Sequence, residues 1–193
     1  MRKVAVIASA SGCGKTTVGR RLAARLRVPF VELDALNHGP GWTEATADQL
    51  RERVAPLVAT DEWVIDGGYR GKLGDLVLAA AEEVVWLDLP RRVWLPRLVR
   101  RTIVRIVRRE ELWGGNRETV RNAVWGGEAL IPYALRGYRR RRREYPSQLA
   151  RFRVVRLRSR REIDAWLASV PGVALSAGGA TRPPERRAPP GDR

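Results

Sequence analysis

Short apolar runs and amphipathic stretches alternate along the chain, and this alternation predicts an α/β fold. Residues 3–8 form an apolar run rich in β-branched side chains, which is typical of a strand buried on both faces of a parallel sheet. From Val18 to Leu26 apolar residues recur every four positions among arginines, which predicts a helix that ends before Pro29. The chain therefore begins with a strand, a glycine-containing loop and a helix.

The same alternation continues to about residue 170. Four further strands are predicted from short runs of β-branched, aromatic and other apolar residues, at 30–33, 63–66, 84–89 and 152–157. Helices are predicted at 47–59, with Thr43 or Thr46 as the N-cap residue, and from about Arg160 to Val170. We therefore expect a three-layer sandwich with a five-stranded parallel sheet, in which ligands bind beyond the carboxyl ends of the strands.

The loop after the first strand has the pattern of a P-loop, apart from one residue. Gly14, Lys15 and Thr16 match the end of the pattern, but Ser9 stands where the first glycine is usual. In a P-loop, backbone N–H groups surround the phosphates, the lysine reaches the β- and γ-phosphates, and the hydroxyl binds Mg²⁺. ATP binding is therefore predicted for Ser11, Gly12, Cys13, Gly14, Lys15, Thr16 and Thr17. Lys15 is also predicted to be catalytic, and Thr16 to bind Mg²⁺.

Acidic residues are expected at the carboxyl edge of the sheet, because they end predicted strands. Asp34 follows the second strand and is a candidate to orient or deprotonate an acceptor hydroxyl, unless it only caps the next turn. Asp66 ends the third strand, where a carboxylate would reach Mg²⁺ through water. His38 and Trp42 lie in a Gly/Pro-rich loop that is typical of a substrate pocket, although a lone histidine is often structural. Asp88 also ends a strand, and capping is its expected role.

A long arginine-rich segment separates the fourth and fifth predicted strands. Residues 91–161 contain 22 arginines and 5 acidic residues, enough to account for the net charge of +16 of the whole chain. The whole chain has only three lysines, and codon usage in the source is an alternative explanation for this preference for arginine over lysine. Apolar residues recur with helical spacing from Leu95 to Ile106, and a helical lid insertion is expected at about 108–128. The arginine run at 139–143 is interpreted as a solvated helix face rather than a catalytic element.

One domain is expected at residues 1–170, followed by a disordered tail at 171–193 whose Gly, Ala, Pro and Arg content cannot build a core.

Cys13 is the only cysteine, so a disulfide within the chain and a cysteine-based metal site are excluded. The sequence has no leader pattern and no run of about 18 apolar residues. These features predict a cytoplasmic protein that is neither exported nor embedded in a membrane.

Six short motifs are spread from the P-loop to the fifth predicted strand. They are Ser-Gly-Cys-Gly-Lys-Thr-Thr at 11–17, Leu-Asp-Ala-Leu-Asn-His at 33–38, Val-Ile-Asp-Gly-Gly-Tyr-Arg at 64–70, Val-Trp-Leu-Asp-Leu-Pro at 85–90, Glu-Leu-Trp-Gly-Gly-Asn-Arg-Glu at 111–118 and Val-Arg-Leu-Arg-Ser at 155–159. Over about residues 3–170 their combination resembles the P-loop kinases of the adenylate kinase and shikimate kinase type. Within that group the chain is most similar to small bacterial adenylate kinase-related proteins called topology modulation proteins.

The resemblance implies an ATP-dependent kinase with a nucleoside monophosphate kinase-like fold. In those kinases the arginine of an Asp-Gly-Phe-Pro-Arg motif holds the phosphate of the acceptor, which makes Arg70 a candidate anion clamp, although the proline is missing here. The family also closes an arginine-bearing lid over the transferred phosphoryl group. Four arginines lie in the matching region: Arg97, Arg100, Arg101 and Arg117. Of these, Arg101 and Arg117 are the catalytic candidates.

Functions of different classes fit these features. The favoured function is transfer of the γ-phosphoryl group of Mg²⁺–ATP to a small acceptor, for example a nucleotide or nucleoside. Asp34 suggests a hydroxyl acceptor, whereas Arg70 suggests a phosphate acceptor. The alternative is a nucleic-acid-associated, ATP-binding regulator with weak or no kinase activity, for which the basic segment would supply the phosphate contacts. A basic amphipathic helix on a membrane surface is less favoured, because packing on the sheet explains its apolar stripe.

Overall fold

The computed structural model describes residues 1–125 and 129–172, which form a five-stranded parallel sheet with helices on both faces. The strands are β1 (Lys3–Ala8), β2 (Phe30–Glu32), β3 (Trp63–Asp66), β4 (Glu83–Leu87) and β5 (Val154–Leu157). The helices are α1 (Lys15–Leu26), α2 (Leu33–Asn37), α3 (Ala47–Ala59), α4 (Arg70–Leu73), α5 (Leu76–Ala80), α6 (Arg91–Arg108), α7 (Val120–Val124), α8 (Leu130–Gln148) and α9 (Arg160–Ser169). The predicted tail from residue 173 onward and residues 126–128 of the predicted lid lie outside the described residues.

The strands are arranged in the order β2-β3-β1-β4-β5, and every neighbouring pair is parallel. β1 lies at the centre, with Val6 opposite Asp66 of β3 and Ala8 opposite Leu87 of β4. The predicted α/β sandwich is therefore confirmed. Because all strands end at the same edge, the P-loop and the loops after β2, β3 and β4 meet there.

Two apolar clusters fill the space between the sheet and the helices. Val4 and Val6 face one cluster, which contains α1, α6, α9 and the first half of α8, whereas Ala5 and Ile7 face the other, which contains α3 and α5. The central strands are thus buried on both faces, which explains why their sequences are continuously apolar. None of the described helices has the length and apolar character needed to cross a bilayer.

Some predicted boundaries shift by one to two residues. β2 ends at Glu32, and Leu33 and Asp34 instead begin the short helix α2. Asp88 lies just beyond the end of β4. The predicted cap of α3 is confirmed: the Thr46 hydroxyl accepts a hydrogen bond from the Gln49 N–H, and the Gln49 side chain accepts one from the Thr46 N–H.

The loops that follow α2 and α6 have the same local structure. Each is closed by an isolated antiparallel bridge, between His38 and Glu44 in one loop and between Glu111 and Arg117 in the other. Each then continues into a helix whose first turn carries a threonine capping box. We call residues 38–49 the first capped loop and residues 111–122 the second capped loop.

A glycine at the same place in both capped loops supports this correspondence. Gly41 and Gly114 each have φ of 66°, inside the 3₁₀ turns Pro40–Trp42 and Trp113–Gly115. Glycine adopts this left-handed conformation without the steric cost that a Cβ would impose. The two capped loops therefore correspond in backbone structure, with little identity of side chains.

Candidate active site

A cleft of about 2090 Å³ runs along the carboxyl edge of the sheet. Its floor consists of residues 10–18, which include the whole nucleotide-binding segment predicted from the sequence, and its walls come from both capped loops, α6 and α8. A pocket for one small molecule usually measures roughly 300–1,000 Å³. The cleft is therefore large enough for a nucleotide and a second molecule.

Two glycines shape the P-loop for different reasons. Gly12 and Gly14 have φ of 87° and 88°, so both adopt a conformation that favours glycine. A Cβ on Gly12 would lie 2.6 Å from the carbonyl oxygen of Trp94 in α6, whereas a Cβ on Gly14 would meet nothing within 4 Å. Gly12 is thus also required for close packing of the loop against α6.

Ser9 connects the start of the P-loop to β4. It is fully buried, its hydroxyl donates to Asp88 Oδ1 at 2.7 Å, and it accepts from the indole Nε1 of Trp86 at 2.9 Å. The predicted capping role of Asp88 is wrong. Its buried carboxylate instead binds Ser9 and forms ion pairs with Arg142 and Arg156. The serine in place of glycine therefore anchors the loop by hydrogen bonds with distant residues.

Asp66 faces the P-loop, as expected from its place at the end of β3. Its Oδ1 accepts from Lys15 Nζ at 2.6 Å, and its Oδ2 accepts from Thr16 Oγ1 at 2.6 Å. Glu32 Oε1 lies 3.2 Å from the same Thr16 hydroxyl. Glu32 was not predicted as a site residue, because its approach to Thr16 depends on the strand register, which places it opposite Asp66.

Electrostatics keep Lys15 charged. Burial of the ammonium group opposes its charge, but the carboxylates of Asp66, Asp34 and Glu32 outweigh this penalty and raise the pKa of Lys15. The side chain is therefore a cation across the physiological pH range. A cation held at the floor of the cleft favours a polyphosphate ligand.

The residues present fit Mg²⁺ and a nucleoside triphosphate. The Thr16 hydroxyl and the carboxylates of Asp66 and Glu32 are oxygen ligands of the kind that Mg²⁺ prefers. Within residues 1–125 and 129–172, no group of three or more His, Cys, Asp or Glu side chains is arranged to hold a metal ion. Mg²⁺ would therefore complete its coordination with phosphate oxygens and water, as it commonly does in phosphoryl-transfer sites.

Asp34 lies in the wall of the same cleft, in the first turn of α2. Its Oδ1 accepts a hydrogen bond of 2.6 Å from the Tyr69 hydroxyl, and no side chain caps α2. Burial and the charge of Asp34 raise the pKa of Tyr69, so its hydroxyl stays protonated and donates. Tyr69 was not predicted as a site residue, although it belongs to the Asp-Gly-Gly-Tyr-Arg motif.

Three aromatic residues form one end of the cleft. The His38 ring stacks on Trp113 with a centroid distance of 5.9 Å and meets the edge of Trp42 at 5.7 Å. All three line the cleft, and the buried Nδ1 of His38 has no hydrogen-bond partner among the described residues. The structure thus brings the predicted pair His38 and Trp42 together with Trp113 of the second capped loop.

Asn116 holds the two capped loops together. Its Nδ2 donates to the Gly39 carbonyl oxygen at 2.8 Å, and its Oδ1 accepts from the Trp42 N–H at 2.9 Å. A Cβ on Gly114 would lie 2.6 Å from the Gly39 carbonyl carbon. The second capped loop therefore closes the cleft by docking its backbone directly on the first.

The predicted arginines differ in their surroundings. Arg70 lines the cleft, but its guanidinium already binds Asp75 at 2.7 Å and Gln148 at 2.6 Å. Arg101 also lines the cleft and, in the described part of the chain, has no hydrogen bond or ion pair. Burial and the nearby charge of Arg105 lower the pKa of Arg101, although an arginine stays charged at neutral pH.

Arg117 does not line the cleft. Its side chain is about half exposed and pairs with Glu111 at 3.7 Å. Arg97 does line the cleft, whereas Arg100 does not. The catalytic roles of Arg101 and Arg117 stay predictions.

The arginine run at 139–143 is only partly a solvated face. Arg140 and Arg141 line the cleft, and Arg141 Nη1 donates to the Ser9 carbonyl oxygen at 3.3 Å. Arg142 pairs with the buried Asp88 at 3.0 Å. A run of five identical residues has no internal pattern from which these inward contacts could be predicted.

Comparison with known proteins agrees with this geometry. A family model described as shikimate kinase matches residues 11–38, which span the P-loop, Glu32, Asp34 and His38. None of the curated protein sequences matches the chain.

Similar solved structures include small-molecule kinases. One is shikimate kinase from Bacteroides thetaiotaomicron, with 16% identity and a TM-score of 0.50, covering 87% of this chain and 95% of that chain. Another is shikimate kinase from Acinetobacter baumannii in complex with shikimate, with 18% identity and a TM-score of 0.51, covering 86% of this chain and 89% of that chain. A third is a gluconokinase from Sinorhizobium meliloti 1021, with 21% identity and a TM-score of 0.50, covering 86% of this chain and 91% of that chain. The chain thus has the fold of the P-loop kinases. The matched P-loop segment and these neighbours support an ATP-dependent small-molecule kinase.

Proposed function

We propose that the protein transfers the γ-phosphoryl group of Mg²⁺–ATP to a hydroxyl group of a small polar molecule. The observation that carries this proposal is that Asp34 shares one cleft with Lys15 and Thr16 and is close enough to raise the pKa of Lys15. A phosphate-binding cation and a carboxylate that can bind an acceptor hydroxyl therefore face the same space. Phosphoryl transfer depends mainly on such positioning and on charge neutralisation.

The donor half of the site consists of the P-loop and its acidic neighbours. Lys15 and the N–H groups of residues 11–17 would hold the phosphates, and Thr16 with Asp66, through water, would hold Mg²⁺, assisted by Glu32. When bound, Mg²⁺ would neutralise charge on the β- and γ-phosphates. Arg101, which lines the cleft and has no hydrogen bond or ion pair within the described ranges, would stabilise charge on the transferred group.

The acceptor half consists of Asp34, Tyr69 and the aromatic end of the cleft. Asp34 would orient the acceptor hydroxyl and accept its proton, while Tyr69 fixes the carboxylate by its hydrogen bond of 2.6 Å. His38 and Trp42 would contact the body of the acceptor. The buried Nδ1 of His38 supplies one hydrogen-bonding atom for it.

A hydroxyl acceptor is favoured over a phosphate acceptor. Arg70, the candidate phosphate clamp, would have to give up its bonds to Asp75 and Gln148 to bind one. The neighbours' names indicate which hydroxyl compounds to test first, since they include a shikimate complex and a gluconokinase. Small polyhydroxylated carboxylic acids are therefore the first class, followed by nucleosides and nucleoside monophosphates.

We further propose that the chain belongs to the subtype of adenylate kinase-related topology modulation proteins. It is supported by the motifs at 33–38, 64–70 and 111–118, two of which contribute Asp34 and Tyr69 to the cleft. A cytoplasmic location is proposed with it. If this subtype applies, a nucleotide acceptor held by Arg70 is the expected variation on the same chemistry.

The test is phosphate transfer across a panel of polyhydroxylated acids, sugars, nucleosides and nucleoside monophosphates. ATP consumption would be followed with a coupled assay, and each product identified by its added phosphate mass. We expect at least one acceptor to be phosphorylated by the wild-type chain and not by Lys15→Ala. If no acceptor is phosphorylated above the background rate of ATP hydrolysis, the proposal is wrong.

A further inference from the structure

A second pocket lies outside the active-site cleft and is lined almost entirely by arginine. It is open, has a volume of about 410 Å³, and is formed by Tyr138, Arg139, Arg142 and Arg143 of α8 with Arg156 of β5. None of these five residues lines the active-site cleft. We call them the arginine pocket.

Two of its arginines are held in fixed orientations. Arg156 donates to Asp88 Oδ2 from Nε at 3.1 Å and from Nη2 at 2.5 Å, and its guanidinium lies 4.2 Å from the centroid of the Trp86 ring. Arg142 pairs through Nε with Asp88 Oδ1 at 3.0 Å and donates from Nη1 to the Tyr138 hydroxyl at 2.9 Å. Ordered guanidinium groups lose little further entropy when they bind an anion.

The positive charges of the other two arginines are not paired with an acidic side chain among the described residues. Arg139 and Arg143 are exposed, and neither has a hydrogen bond or ion pair within the part of the chain that the structure describes. They are four residues apart on α8, a spacing at which like charges repel. Asp88 contributes the one carboxylate that pairs with any of the four arginines among the described residues. Folding alone gives no reason for this excess of positive charge.

We propose that the arginine pocket is a second anion site that binds a phosphate group, separate from the P-loop. Guanidinium groups bind phosphate oxygens through paired, charge-assisted hydrogen bonds, and here they approach one open space from two elements of the fold. The phosphate belongs either to the backbone of a nucleic acid or to a small phosphate compound. Both sources have the same chemistry, and the experiment distinguishes them.

The test compares two double variants of the full chain that remove equal charge. Arg139→Gln/Arg143→Gln removes the uncompensated arginines of the pocket. Arg2→Gln/Arg27→Gln removes two exposed arginines near the opposite edge of the sheet, where β1 begins and α1 ends. Both are made in a Lys15→Ala background, so that phosphate binding at the P-loop is weakened equally. The probes are inorganic pyrophosphate, followed by calorimetry, and a short labelled DNA duplex, followed by fluorescence anisotropy over a range of salt concentrations.

We expect Arg139→Gln/Arg143→Gln to weaken binding of at least one probe by about tenfold relative to the control variant. If only pyrophosphate binding weakens, the ligand is a small phosphate compound. If DNA binding weakens and the salt slope falls by about one per lost contact, the ligand is a nucleic acid backbone. The proposal is overturned if the two double variants bind both probes equally.

This result is independent of the proposed kinase activity. The four substituted arginines lie outside the cleft, so with Lys15 intact Arg139→Gln/Arg143→Gln should phosphorylate any accepted substrate at the wild-type rate. Urea unfolding would check that both double variants fold. Arg139 and Arg143 are exposed and without partners among the described residues, whereas Arg2 of the control pairs with Glu62. If the wild-type chain phosphorylates no acceptor but Arg139→Gln/Arg143→Gln still weakens anion binding, only the proposed function is contradicted.

Discussion

Ser9 shows how a residue that departs from a motif can be required by its surroundings. Glycine is usual at this position, but the φ of Ser9 is not positive, so a side chain is accommodated without strain. Its hydroxyl satisfies both the buried indole N–H of Trp86 and an oxygen of the buried Asp88. A buried polar group that loses its partner costs more free energy than the hydrogen bond itself contributes.

Restoring the usual glycine should therefore destabilise the protein. We expect Ser9→Gly to lower the free energy of unfolding by about 1–3 kcal/mol, because Trp86 and Asp88 lose a buried partner. Urea unfolding measures this value. Ser11→Gly is the control, since it adds the same backbone freedom in the same loop without removing a hydrogen bond among the described residues. Equal stability of the two variants would show that the Ser9 hydroxyl contributes little.

Asp34 and Tyr69 should affect turnover rather than nucleotide binding. We expect Asp34→Asn to lower kcat by about 10²- to 10⁴-fold, the range for loss of a general base, while the Kd of an ATP analogue changes little. Tyr69→Phe should have a smaller effect in the same direction, because it removes only the hydrogen bond that fixes Asp34. Steady-state kinetics with an accepted substrate would measure both. Asp48→Asn, on the exposed first turn of α3, is the control and should behave as wild type.

At the level of elements, the two capped loops act as facing halves of one wall. Asn116 bonds to the backbone of the first capped loop, and Gly114 packs against Gly39 with no room for a side chain. The His38 ring then stacks on Trp113 from the opposite loop. Any change that separates the loops should therefore open the aromatic end of the cleft.

Gly114→Ala and Gly115→Ala form a matched pair for testing this docking. Both glycines have positive φ, 66° and 75°, so both substitutions carry a similar backbone cost. Only the Cβ at position 114 would collide with Gly39, since the Cβ at position 115 would meet the flexible Glu111 side chain at 3.8 Å. We expect faster amide hydrogen exchange in both capped loops and a higher KM for the acceptor in Gly114→Ala. Identical exchange in the two variants would contradict direct docking.

The elements were largely predictable because buried parallel strands and amphipathic helices have strong periodic patterns. The sheet, α1, α3 and α9 follow from those patterns, and Lys15, Thr16 and Asp66 follow from the P-loop and a strand end. Residues whose position depends on register or on helix rotation were not predictable. Glu32 reaches Thr16 because β2 pairs with β3 in one register, and Arg141 faces Ser9 because of how α8 is rotated. The docking of the capped loops joins segments far apart in sequence, and local patterns carry no information about it.

At the level of the whole molecule, several buried groups make the fold sensitive to alkaline pH. Burial raises the pKa of the Cys13 thiol from its usual 9.0 to about 11, and burial also raises the pKa values of Tyr69 and Tyr145. The pKa of Lys15 is raised by neighbouring carboxylates despite its burial. In each case the folded protein holds a proton that the unfolded chain would release at lower pH.

Stability should therefore fall as the pH rises above about 9. Between the unfolded and folded pKa values the native state binds more protons, so the free energy of unfolding decreases with increasing pH. Below about pH 9 the contribution is fully present. Urea unfolding between about pH 7 and pH 11 would measure the slope, and Cys13→Ala should reduce it between about pH 9 and pH 11. A free energy of unfolding that stays constant or rises over this range would contradict the assignment.

The contact between Gly39 and Gly114 also affects how the gene can change over time. Position 114 admits only a hydrogen atom because the Gly39 backbone lies against it, so Gly114 cannot be replaced while the loops stay docked. A lineage that acquires a new acceptor by remodelling the first capped loop must then alter the second in step. In related genes, a substitution at position 114 is therefore expected to be inherited together with changes in the first capped loop around position 39.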